Sequence, residues 1–69
     1  MTLGQLLKTA REDLDMTKAQ VARDVGIMRQ SLAGYEADAR LPNIKNAVKL
    51  ANVLEIDVTK MCRVVGEMK

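Results

Sequence analysis

Residues 17–35 read TKAQVARDVGIMRQSLAGY, and this stretch decides the fold. Val21, Ala22 and Val25 recur at the one-, three- and four-residue spacings that place side chains on one side of a helix. Gly26 follows at once and can take the positive φ that a chain turning sharply out of a helix needs. Ile27 is an apolar anchor in the turn. Leu32 and Tyr35, three residues apart, give a second helix its own inward face. Ala22 is small where two helices crossing steeply must approach closely.

Seven positions (Val21, Ala22, Val25, Gly26, Ile27, Leu32 and Tyr35) fit one pattern in register, that of a helix-turn-helix over residues 17–36. An ordinary helical hairpin in an unrelated bundle is the competing reading.

The flanking chain extends the helical pattern on both sides. Thr2 and Gln5 are spaced as a capping box. Leu3, Leu6, Leu7, Ala10 and Leu14 then make an amphipathic first helix to about residue 14. Thr17 and Gln20 form a second capping box, with Met16 and Val21 placed as a hydrophobic staple. The third helix runs from Met28 or Arg29 to Ala37. Pro42 biases Leu41 away from helix. Asn43 caps a fourth helix with Ile44, Ala47, Val48, Leu50, Ala51 and Leu54 as its apolar positions. Asp57 caps a fifth over residues 57–65, with Val58, Met61, Cys62 and Val65 as its stripe and Gly66 as its stop. The expectation is an all-α, five-helix single domain spanning residues 1–69.

Composition narrows the function. The formal charge is only +2, which permits nucleic acid as a partner without demanding it. Its distribution is more telling. Between Lys18 and Lys49 there are six basic residues (Lys18, Arg23, Arg29, Arg40, Lys45, Lys49) against three acidic ones (Asp24, Glu36, Asp38), while Glu12, Asp13 and Asp15 cluster outside. A solvated surface would show the same pattern. The only aromatic residue is Tyr35, too little for a module that stacks single-stranded bases on exposed rings. With no histidine and Cys62 as the only cysteine, neither a zinc site nor an internal disulfide is expected. A cytoplasmic location fits that cysteine usage. No apolar run has the length of a membrane span, and no signal peptide is visible. Enzymatic chemistry lacks a nucleophile–base pair, a metal cluster or a glycine-rich phosphate loop.

The MTKAQVARDVG run, the RQSLAGYE stretch and the LPNIKNAVKLANVLEIDVTKM tail resemble the phage Cro/C1-type (XRE-like) repressor family. The resemblance covers about Leu3 to Cys62 and implies a lambda-repressor-like fold. It further implies a transcriptional regulator, of repressor type, that binds an inverted-repeat operator in double-stranded DNA as a homodimer. No cofactor and no small-molecule ligand are expected.

It also implies roles for positions. Met28, Arg29, Gln30, Ala33 and Gly34 would enter the major groove. Arginine can bond guanine twice and glutamine adenine twice, and alanine can meet a thymine methyl. Arg29 and Gln30 could equally be solvated residues on an exposed helix start. Thr17, Lys18, Arg40, Asn43 and Lys45 would hold phosphates at helix starts and in the loop; Thr17 and Asn43 also serve as plain N-caps.

Arg11 and Glu36 would form an ion pair between the first and third helices. Val58, Met61, Cys62, Val65 and Met68 would form the dimer surface, although closure of the monomer core would also account for Val58 and Met61. Met28 departs from the family's serine or threonine cap, and Gly34 removes a reading side chain inside the third helix. The rival reading is an antitoxin or another protein-interaction module on the same fold.

Overall fold

The computed structural model describes residues 1–67, and the side chains of all of them except Cys62, Val65 and Glu67. Five helices follow in order: α1 (Leu3–Asp13), α2 (Lys18–Val25), α3 (Arg29–Glu36), α4 (Ile44–Val53) and α5 (Val58–Glu67). No strand occurs among the described residues.

The starts of the helices are readable because their caps are local. Thr2 Oγ1 accepts from the Gln5 amide at 3.1 Å while Gln5 Oε1 accepts from the Thr2 amide at 2.9 Å. Thr17 and Gln20 repeat the arrangement at 3.1 and 2.8 Å. Asn43 Oδ1 accepts from the Asn46 amide at 2.8 Å, and Asp57 Oδ1 from the Thr59 amide at 2.7 Å. Met28, at the start of α3, makes no side-chain capping bond.

The helix ends are less readable. The first four helices all finish in one pattern, with a left-handed residue just past the end and the following amide reaching back to the last turn. Gly26 supplies it for α2 at φ 84°, but Asp15 (54°), Asp38 (59°) and Glu55 (57°) supply it after α1, α3 and α4. The returning bonds are Met16 N to Arg11 O, Ile27 N to Ala22 O, Ala39 N to Gly34 O and Ile56 N to Ala51 O, at 2.8–3.1 Å. Met16, Ile27 and Ile56 then pack against the core, the hydrophobic contact that accompanies this motif.

Helix α1 packs on α3, α2 on α3 and α4, and α5 closes across α1 and α4. Leu7, Val21, Leu32 and Leu50, one from each of the first four helices, have no exposed surface. Leu3, Leu6, Ala22, Val25, Tyr35, Ala51, Leu54, Met61 and Val64 complete the core.

Several expectations are corrected. Leu14 is the exposed C-cap of α1 rather than part of its stripe. Ile44 is 85% exposed, on the same side of α4 as Val48 four residues on. Val48 is also exposed; at 100° per residue it falls roughly a quarter-turn to one side of the Ala47–Leu50–Ala51–Leu54 stripe. Helix α5 runs through Gly66 to Glu67. Among the described glycines only Gly26 has a positive φ, and without that conformation a glycine weakens a helix but does not end it. Met61 is buried at 3%, so it belongs to the chain's own core and is unavailable to a dimer surface. Val64 is buried beside it, a position the expected stripe left out.

Asp38 holds two elements at once. Its carboxylate accepts from Thr2 Oγ1 at 2.6 Å and from the Gly4 amide at 2.9 Å, so the turn after α3 caps the start of α1. Replacing Asp38 with alanine should cost about 0.5–2 kcal/mol, the range for removal of an N-cap. Urea denaturation checks this, with a lower midpoint and an unchanged slope expected.

Candidate nucleic-acid interface

The surface that matters is organised by α3. At 100° per residue, Leu32 and Tyr35 point inward, and Gln30, Ala33 and Gly34 fall on the opposite side, with Arg29 at its edge. Leu32 and Tyr35 are buried; Met28, Arg29 and Gln30 are exposed, Met28 at 66%; Ala33 and Gly34 are half-buried. Neither Arg29 nor Gln30 has a side-chain hydrogen bond or ion pair among the described residues. An arginine and a glutamine at a helix start, uncommitted to the protein, leave the arginine's paired donors and the glutamine's donor and acceptor for a ligand.

The residues expected at phosphates fall into two groups around α3. Thr17 and Lys18, at the start of α2, line one open groove of about 780 Å³ together with Arg29. The start of α2 and Arg29 of α3 are therefore neighbours. Glu12 and Asp15 form the acidic rim of the same groove. Arg40 and Asn43 lie toward the other end of α3. The amides of Ala39 and Arg40 both donate to Gly34 O, at 3.0 and 3.3 Å. Asn46 Nδ2 donates to the Tyr35 hydroxyl at 3.4 Å, tying the start of α4 to α3. Lys45 is exposed on the first turn of α4. Nothing in the local sequence pattern marks the Asn46–Tyr35 bond, which spans eleven residues.

Gly34 leaves α3 without a side chain at that position. Within the chain, what approaches it is the stem of Arg40. A Cβ at position 34 would stand 3.1 Å from Arg40 Cδ and 3.4 Å from Cγ.

Arg11 and Glu36 hold α3 in place. Arg11 Nε donates to Glu36 Oε2 at 2.8 Å and Nη2 to Oε1 at 3.2 Å, a two-bonded pair, while Nη1 donates to Met16 O at 2.9 Å. The side chains are 12% and 4% exposed. The hydrogen bonds that Arg11 donates to Glu36 raise the guanidinium pKa above its ordinary value, against the opposing effect of burial. A raised value stabilises the fold at every pH below the ordinary arginine range, and this is lost only as pH climbs through the raised value. The pair therefore adds no pH dependence from the arginine side under working conditions.

Of the expected dimer residues, Val58 is 42% exposed. The side chains of Cys62 and Val65, and all of Met68, lie outside the described residues. Other exposed apolar side chains include Met1 at 67%, Leu41 at 58%, Ile44 and Val48. No group of three potential metal ligands occurs among the described residues, and no described helix is long and apolar enough to cross a membrane.

Two short helices joined through a left-handed glycine, the second offering an uncommitted polar face, define a helix-turn-helix domain. The chain belongs to the helix-turn-helix family, whose model matches residues 7–61, and it is of the XRE (Cro/C1) type that its motifs resemble. It is 36% identical over 62 residues to the cryptic phage CTXphi transcriptional repressor RstR of Vibrio cholerae, covering 90% of this chain and 55% of that one. It is 33% identical over 67 residues to the immunity repressor protein of Bacillus phage phi105, covering 97% and 44%. The chain thus spans about half the length of the curated relatives it matches.

Among solved structures, the P22 c2 repressor in complex with a synthetic operator superposes with a TM-score of 0.84 at 20% identity, over 88% of this chain and 92% of that one. SinR of Bacillus subtilis in complex with DNA gives 0.81 at 22%, over 88% and 98%. The restriction-modification controller protein C.AhdI of Aeromonas hydrophila gives 0.80 at 27%, over 86% and 89%. The fold is therefore that of lambda-repressor-like DNA-binding domains.

Proposed function

We propose that this chain is a sequence-specific, double-stranded-DNA-binding transcriptional regulator of repressor type. It acts on DNA in the cytoplasm and is a binding protein rather than an enzyme. The observation that carries the reading is the outward face of α3, where Arg29 and Gln30 are exposed without protein partners beside the Thr17–Lys18 helix start. The start of α3 enters the major groove, with Met28, Arg29, Gln30 and Ala33 toward the bases. Thr17, Lys18, Asn43 and Lys45 meet phosphates and fix register.

The operator is an inverted repeat bound by a homodimer. Half-site centres one helical turn apart are about 34 Å from each other. The domain measures 28 × 21 × 20 Å, somewhat less than that spacing, so two copies on such a site leave a narrow gap that only side chains at their facing ends can close. Val58 on α5, and Leu41, Ile44 and Val48 around the start of α4, are the exposed apolar side chains available for that contact.

Arg29→Ala is the test at the reading surface. Discrimination at one base pair per half-site should fall by about 1–3 kcal/mol, measured by competition between the preferred duplex and single-base variants. Unchanged discrimination at every position would move the reading surface off the start of α3.

A further inference from the structure

The outward face of α3 carries a gap that another side chain fills. Gln30 and Gly34 are four residues apart and so stand one above the other on that face. Gly34 offers no side chain there, and the space its Cβ would take is bordered by Arg40 Cδ, Cγ and Cβ at 3.1, 3.4 and 3.8 Å. The backbone is fixed to match. Asp38 takes a left-handed φ of 59°, which turns the chain back, and the Ala39 and Arg40 amides both close onto Gly34 O. The Arg40 stem lies against Gly34 although the residue as a whole is exposed, and its guanidinium makes no hydrogen bond or ion pair with the described residues.

We propose that Gly34 is a positioning residue: its bare backbone seats the Arg40 stem against α3 so that the guanidinium is held toward a backbone phosphate of bound DNA. Phosphate rather than a base is the partner because Arg40 follows the C-terminal end of α3, whereas it is the start of a recognition helix that meets base edges. An arginine whose stem is already packed loses less side-chain freedom on binding than one free in solvent. The inference rests on the DNA-binding reading above, and it takes Gly34 out of the base-reading set.

The test is binding of wild type, Gly34→Ala, Arg40→Ala and the double variant to a short duplex carrying the selected site, across a series of salt concentrations. For every phosphate that the protein no longer neutralises, the slope of log affinity against log salt becomes shallower by about 0.9. Arg40→Ala should show that change. Gly34→Ala should show a change of similar size with the helical fold retained by circular dichroism, and the double variant should be no worse than Arg40→Ala alone. Arg40→Lys should keep the wild-type slope.

If Gly34→Ala keeps the wild-type slope, the seat does not exist. If it weakens binding equally with and without Arg40, the added methyl meets DNA directly and the inference is wrong. If it loses sequence discrimination while keeping its slope, a base contact is at stake and the phosphate assignment is wrong. A wild type that binds no duplex sinks the DNA-binding reading and the inference together, whereas the other failures sink the inference alone.

Discussion

Gly4→Ala should remove most of the stability of this domain. A Cβ at position 4 would stand 2.8 Å from Tyr35 O and from the Glu36 carbonyl carbon, and closer still to Glu36 O. All three are backbone atoms at the end of α3, so no rotamer change relieves the overlap and two helices must move apart. Overpacking of this kind costs about 1–3 kcal/mol and occasionally more; with backbone on one side and a capping bond to Asp38 on the other, about 3 kcal/mol is expected. A core in a chain of this size rarely supplies more than about 3–5 kcal/mol. The sign is diagnostic. In an unobstructed helix the same change would stabilise by up to about 1 kcal/mol. Thermal unfolding checks it: a Tm equal to or above wild type would show that α1 does not sit on α3 this closely.

Arg11→Ala should cost about 3 kcal/mol, the low end of the range for a buried pair stripped of one partner. The low end applies because Arg11 retains some exposure while Glu36, at 4%, retains almost none. The variant leaves the Glu36 carboxylate without its two guanidinium bonds and also frees Met16 O, so α1, the link to α2 and α3 all loosen. For a domain this small the fall in Tm is roughly 15 °C. Glu36→Gln, which keeps an acceptor for one of the two bonds, should lose less. Arg11→Met with Glu36→Leu should recover much of the loss, because a well-packed apolar pair has no desolvation to offset. A loss under about 1 kcal/mol in Arg11→Ala would class the pair with exposed surface bridges.

What is legible in the sequence and what is not divides along a physical line. Helix starts are set by side chains within three residues of one another, and Thr2–Gln5, Thr17–Gln20 and Asn43 are legible for that reason. Helix ends here depend on backbone conformation. Gly26 announces its own, but Asp15, Asp38 and Glu55 adopt left-handed φ values without being glycine. The core of α1 to α3 follows from periodicity. The exposure of Ile44 and Val48 does not, because periodicity names a face and not how much of it a neighbour covers. At the candidate interface, the exposed Arg29 and Gln30 are visible as a pattern. The contacts that organise the far end of α3 are not, since Arg40 on Gly34, Asn46 on Tyr35 and Asp38 on Gly4 join residues that only the folded chain brings together.

Selection of bound duplexes from a randomised library, followed by sequencing, addresses DNA recognition itself. The expected result is an enriched inverted repeat whose half-site centres lie about one helical turn apart. Its affinity at physiological salt should exceed that for unrelated duplex by at least about a thousandfold. Binding that weakens with salt but enriches no sequence would reduce the protein to a general duplex binder. No enrichment and no binding at moderate salt would contradict the regulator reading outright.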